Sequence, residues 1–376
     1  MTVPMHIPAE PILGVSASLF AILLLVLILP FKVRFVEENL EPFFLVMGLI
    51  ATATVFAAGI LDHEGLKELF KLALKSPVSI SGKPIGITQV VFLAGLVFYL
   101  FHRQIHGWVS NLFNRVGPAL FGFVLITVLG LCSSIISVIV AAVILAEIVD
   151  LTPLGRREKV EFAVIAAFAV GLGAALTPVG EPLSTIAISK LSGPPYHAGF
   201  MFLLRILGHL IIPGVIALGI YGALRLKKHY RIIREEERGL AEAARQSFIG
   251  VIERTIRVYV FVMALELLGT SFTPLIYWYL SKVPAWVLYW MNTVSAILDN
   301  ATLTAAEIGP ALTLAQIKSA LISLLISGGM LIPGNIPNIV LAGRLKISSR
   351  EWARIGVPIG AVMLVIYFVL VEVIKL

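Results

Sequence analysis

Apolar residues run along this chain in long unbroken stretches, not in the one-sided stripes of a soluble helix, and short polar segments close each stretch. The runs Ile12 to Phe31, Phe43 to Leu61, Ile85 to Phe101, Gly199 to Leu226, Arg257 to Thr270 and Trp352 to Ile374 each approach the ~20 residues that cross a hydrocarbon core. Four further stretches have the hydropathy of a span without its simplicity. Residues 118–149 and 284–310 are too long for one straight crossing and carry polar centres, "CSSIIS" and "SAILDNAT", which predicts half-helices that dip in and return on one side. Residues 161–191 and 314–345 are interrupted by "TPVGEP" and "IPGNIP". Two prolines four residues apart remove backbone donors and clash with the preceding turn. In lipid, the carbonyls so freed are tolerated only against protein or a water-filled cavity.

The polar interludes organise the rest. Residues 102–115 and 272–282 are short and amphipathic, as pieces lying along an interface would be. Residues 227–250 form the one long polar stretch and read as a solvated, charged connector. On either side of it the chain repeats itself: Ser133 and Ser137 match Ser295 and Asp299, Pro178 and Pro182 match Pro333 and Pro337, and Arg205 matches Arg354, in the same order and hydropathy context. The expected plan is therefore two extra N-terminal spans in 1–62, a first repeat over 85–226, the connector, and a second repeat over 251–376. Each repeat holds a span, an interfacial helix, a hairpin (118–149 or 284–310), a broken helix (161–191 or 314–345) and a final span (199–226 or 352–374).

Composition agrees with this and narrows it. With 59% hydrophobic residues, 14% charged and a mean hydropathy of +0.97, the chain reads as an all-α polytopic membrane protein. A net charge of +7 would suggest a nucleic-acid partner, but Lys and Arg gather in short loops, as the positive-inside rule requires. If the connector is cytoplasmic, both termini fall outside and the two repeats run in opposite senses, giving about eight transmembrane helices and two re-entrant hairpins. The first apolar run lacks a basic n-region, so it is read as a first span and not a cleaved signal. Enzyme signatures are absent: "HEGLK" has no second His at zincin spacing, no P-loop occurs, and the single Cys132 permits neither an internal disulfide nor a Cys-based metal site. No catalytic residue and no resident cofactor are expected.

Inverted repeats with discontinuous helices are the plan of secondary transporters, in which half-helix ends and unwound backbone hold substrate and ions. A carboxylate inside a span costs at least ~2.5 kcal/mol on insertion scales and usually marks an ion or proton path. Asp299 is the foremost such group. Ser295, Asp299 and Thr302 share one face if the helix continues through them, and Asn300 adds an amide oxygen, making the oxygen-only set that hard cations prefer. Asp299 also suits a helix cap. Glu181 lies between Pro178 and Pro182 with Thr177, Ser184 and Thr185 around it; the plain alternative is an acid exposed in a watery vestibule. Ser133 and Ser137 in the first hairpin, and Gly334, Asn335 and Asn338 in the second break, bring neutral donors. Sodium would be held chiefly by Asp299, Asn300 and Glu181. Glu266, Arg205 and His209 are read either as proton-linked or tuning groups or as structural pairs. Trp286, Tyr289 and Trp290 are expected in an interfacial aromatic belt.

The stretches "GLGAALTPVGEPLSTIAISKL" and "SGGMLIPGNIPNIVLAGRL", each following a hairpin of the form Ser-x-x-x-Ser or Ser-x-x-x-Asp-Asn, resemble the two signature regions of the ion transporter superfamily. That group includes NhaD-type sodium/proton antiporters, arsenite and citrate carriers and divalent anion/sodium symporters. Within it the chain is most similar to a small family of uncharacterised prokaryotic proteins described as candidate cation transporters. The resemblance spans roughly Ile85 to Leu376. It implies a dimerising scaffold domain and a transport domain of hairpins and broken helices that moves like an elevator; the acids at the hairpin centre and helix break, with no Lys or Arg in those polar segments, favour exchange of sodium for protons across the cell membrane. The partners implied are the lipid bilayer, a second copy of the chain and small ions, with no nucleic acid. The Asp-Asn pair of NhaD-type antiporters lies in the first hairpin, where this chain has Ser137 and Val138; here the carboxylate stands in the second. Sodium-coupled symport of a small carboxylate or oxyanion stays open, since helix N-termini bind anions and Arg205 and Arg344 lie near the motifs.

Overall fold

The computed structural model describes residues 3–33, 35–36, 39–78, 87–236, 248–280, 284–298, 300–310 and 312–376. The described residues are helical, with no strand among them. Among the described residues five helices are long and apolar enough to cross a membrane, over Leu13–Pro30, Leu40–Ala57, Asn111–Ile136, Phe202–Lys227 and Ser349–Val373, and the protein is accordingly a helical membrane protein.

The N-terminal helices α1 (Leu13–Lys32) and α2 (Leu40–Ala57) pack together, and α2 lies along α10 (Phe248–Ser271). Small residues allow that closeness, as they do between helices in lipid. A Cβ on Gly48 would stand 3.1 Å from the Ala264 carbonyl, and Thr52 and Ser271 hydroxyls meet at 3.0 Å nearby. Between the second apolar run and the next, the amphipathic helix α3 (His63–Lys75) forms, started by Asp62 accepting from Gly65 N at 2.6 Å. Leu69 and Ala73 are buried while Phe70 and Leu74 stay exposed, so a short apolar stripe, not polarity, decides this segment. Helix α4 (Ile87–Leu100) follows and leans on α10.

Helix α5 (His102–Ile136) carries the interfacial piece and the first hairpin arm in one run, broken at Gly117, where φ is +79°, just before Pro118. The expected hairpin is therefore uneven: the arm from Pro118 to Ile136 is span-like, and the returning arm α6 (Val138–Leu151) is shorter. The turn between them is one residue, Ser137, at φ +80°. Next come α7 (Arg156–Ala174), α8 (Pro182–Lys190) and α9 (Phe202–Glu236). Helices α5, α7 and α9 pack mutually, with Gly173 so close to α5 that a Cβ would stand 1.8 Å from the Gly130 carbonyl.

After α10, residues 272–280 bury Pro274, Leu275 and Trp278 and leave Tyr277 exposed, and Trp278 Nε1 donates to the Pro8 carbonyl at 2.8 Å. The second hairpin comprises α11 (Ala285–Met291), a 3-10 turn Asn292–Ala296 and α12 (Asn300–Glu307). Then follow α13 (Leu314–Met330), a 3-10 turn Ile332–Gly334, α14 (Ile336–Leu345) and α15 (Ser349–Phe368), which ends in a π turn, Val369–Val373. Tyr289, expected in the aromatic belt, is wholly buried and donates to the Leu364 carbonyl at 2.8 Å, whereas Trp286 and Trp290 are exposed. A buried phenol must find an acceptor, and α15 supplies it.

The halves are locked by exchange. The returning arm α6 packs on α14, the far half of the second broken helix, and the returning arm α12 packs on α8, the far half of the first. Arg344 of α14 makes a two-toothed ion pair with Glu147 of α6, at 2.7 and 2.8 Å, and also reaches Asp150 at 2.6 Å.

Candidate functional site

Both proline-marked stretches are interrupted. In the first, α7 stops at Ala174 and α8 starts at Pro182; in the second, α13 stops at Met330 and α14 starts at Ile336. Pro182 and Pro337 sit in the first turn of their half-helices, where the missing N–H costs nothing. The preceding half-helices are left with carbonyls that have no helical partner.

Side chains from the far half-helix satisfy those carbonyls. Ser184 donates to Ala175 O at 3.0 Å and Thr185 to Pro178 O at 2.6 Å. At the second break a single amide does both jobs: Asn338 Nδ2 donates to Gly328 O and Leu331 O, each at 2.7 Å. Two carbonyl acceptors fix which end of that amide is nitrogen, so Oδ1 points elsewhere; it is buried with no hydrogen-bond partner. Replacing Asn338 with leucine should strand two buried carbonyls and cost about 1–3 kcal/mol for each. Ser184→Ala strands one and should cost less, an order readable from thermal unfolding in detergent.

Each hairpin tip touches the break of its own half. Val138 N donates to Gly180 O at 2.7 Å, Thr177 donates to Ser134 O, and Ser133 donates to Val170 O at 2.9 Å. In the second half a Cβ on Gly334 would lie 2.6 Å from both Gly328 O and Ser295 O. The two breaks also meet each other: the Asn335 amide nitrogen stands 2.8 Å from where a Cβ on Gly171 would be, with Asn335 Oδ1 capping α14 through Ile336 N at 2.9 Å. Glu181, 4% exposed, occupies the matching cap position of α8 but does not cap it.

The sequence-derived set is thus partly gathered and partly reassigned. Ser133, Thr177, Ser184, Thr185 and Ser295 give their protons to backbone carbonyls, Ser295 at 3.4 Å to Leu324 O, and keep only lone pairs for a ligand. Ser137 bends the hairpin and accepts from Ile139 N at 3.3 Å. Asn300 is buried beside Gly328, and its Nδ2 has no partner. The continuous helix on which Ser295, Asp299 and Thr302 were grouped does not form, because the 3-10 turn ends at Ala296 and α12 begins at Asn300. Asp299 itself, and the Thr302 side chain, lie outside the described residues. Arg205 and His209 are exposed on α9, away from the crossing, and Glu266 is half-buried in α10. Arg257 pairs with Glu253 at 2.9 Å.

Sequence reasoning missed three groups. Ser327, fully buried on α13 next to Gly328, has an unpartnered hydroxyl. Glu307, on α12, is 8% exposed with neither oxygen bonded. The pair Glu147–Arg344 ties the hairpin to the opposite broken helix. Asn300, Thr304 and Glu307 stand at i, i+4 and i+7, a polar stripe that was legible once the start of α12 is known. Among the described residues no three of His, Cys, Asp and Glu come together as a metal-binding group.

A family model described as "Protein of unknown function (DUF1646)" matches residues 16–374, and the chain belongs to that family. No curated protein matches it.

Proposed function

We propose that this member of the DUF1646 family is a secondary active cation/proton antiporter, exchanging sodium for protons at the crossing of its two helix breaks. The observation that carries this reading is the pair of buried oxygens without hydrogen-bond partners around that crossing, Asn338 Oδ1 and Ser327 Oγ, beside the buried carboxylate-bearing Glu181. Burying such groups costs free energy unless something bonds them. An oxygen-rich set next to an acid suits a small hard cation, and a proton on the acid can replace that cation.

In this reading the two halves are inverted repeats, the chain crosses the cell membrane about eight times with both termini outside, and alternating access moves the hairpins and broken helices against a dimeric scaffold. The interrupted helices and the exchanged packing of α6 on α14 and α12 on α8 support it. Symport of an anion is less favoured, because Arg344 is already neutralised by Glu147 and Asp150 and Arg205 faces outward.

In proteoliposomes with an internal pH dye, an inward sodium or lithium pulse should drive protons out with only an inert anion present. Asp299→Asn and Glu181→Gln should abolish the signal. A signal that appears only when a carboxylate or oxyanion is added, together with accumulation of that labelled anion, overturns exchange in favour of symport.

A further inference from the structure

The second hairpin buries an acid that the crossing does not use. Glu307 closes α12, and among the described residues no Lys, Arg or His pairs with it. Asn292, with no exposed surface, stands beside it. Asn292 Nδ2 is spent on α13, donating to Ser323 Oγ at 3.0 Å and to Ala320 O at 3.4 Å, and its Oδ1 has no partner. That amide nitrogen is thus already shared between two acceptors on α13, and neither carboxylate oxygen of Glu307 accepts a hydrogen bond of its own. Burial of an ionised carboxylate in such company is costly; a proton on it removes the charge and adds a donor.

The face of α13 turned toward this hairpin is hydroxylated. Ser319, Ser323 and Ser327 have no exposed surface and stand four residues apart, one turn each, about 6 Å along the axis. Ser319 donates to the carboxylate of Glu372, half-buried in the π turn that ends α15; Ser323 meets Asn292; Ser327 abuts the break at Gly328. Since α13 starts at an exposed Leu314 and ends at the break, the three hydroxyls mark successive depths from the surface inward. Water can bridge hydroxyls at that spacing.

We propose that Glu307 is a second proton-binding carboxylate, distinct from Glu181, and that the serine face of α13 is its route to the aqueous phase. This deepens the exchange reading by separating a proton's site from the cation's. The other charged groups on elements packed against α12 are Lys190 at the end of α8, Lys318 on α13, which donates to the Leu376 carbonyl, and Glu253, Arg254, Arg257 and Glu266 on α10.

Infrared difference spectra of the reconstituted protein across a pH step read this without any ion gradient. A carbonyl band of a protonated carboxylic acid should vanish in Glu307→Gln and survive in Glu181→Gln. An unchanged band in Glu307→Gln overturns the proposal. Should that variant fail to fold, Asn292→Leu should shift the band, and a band that does not move is equally fatal. Ser323→Ala should slow hydrogen–deuterium exchange of the band several-fold; an unchanged rate overturns the route. Sodium–proton exchange can fail while this band behaves as described, and the reverse, so the two readings are judged separately.

Discussion

Arg344→Leu is expected to destabilise the protein by about 3–5 kcal/mol, read as a lowered unfolding midpoint in detergent. The guanidinium is 11% exposed and holds Glu147, whose side chain is 2% exposed, through two short hydrogen bonds. Removing it leaves a carboxylate buried with its counter-charge gone. Asp150 loses less, being a third exposed. The double replacement Glu147→Leu with Arg344→Leu should recover most of the loss, because no charge is then stranded and the site stays filled. If the single and double variants unfold alike, the pair does not fasten α6 to α14.

Gly334→Ala should be strongly damaging where the second hairpin meets its break. The added Cβ would meet three backbone oxygens, Gly328 O and Ser295 O at 2.6 Å and Ala296 O at 2.9 Å, and none belongs to a side chain that can swing away. Either the hairpin tip or the break must retreat, at about 1–3 kcal/mol or more, and a shift of that size disorders the ligand oxygens. Transport should be lost. Gly343→Ala, in the following half-helix, is the control: nothing lies within 4 Å of its Cβ position, and alanine in a helix is favourable, so activity should persist with stability unchanged or slightly raised.

The helix breaks were legible in the sequence because proline has a local effect: it removes a donor wherever it sits, and both interruptions fall at Pro178–Pro182 and Pro333–Pro337. The polar centres of the hairpins were legible for the same reason, since a serine cluster in an apolar run is conspicuous without knowing its neighbours. What failed depended on register. The grouping of Ser295, Asp299 and Thr302 assumed a continuous helix, whereas the 3-10 turn rotates the chain before Asn300 and brings a different stripe, Asn300, Thr304 and Glu307, into line. The double role of Asn338 depended on where Gly328 and Leu331 end their half-helix, and the Glu147–Arg344 pair joins residues that only the exchanged packing makes adjacent. Amphipathic α3 was hidden by its lysines, which interrupt the apolar pattern along the sequence.

Competition between sodium and a proton at the crossing can be read most directly from proton release. Adding sodium to the purified protein in weakly buffered detergent, followed with a pH dye, should liberate protons; lithium should do the same and choline should not. Glu181→Gln should diminish the release, and Asp299→Asn should do likewise. If sodium releases no more protons than choline from mildly acidic to mildly alkaline pH, the crossing does not exchange a cation for a proton.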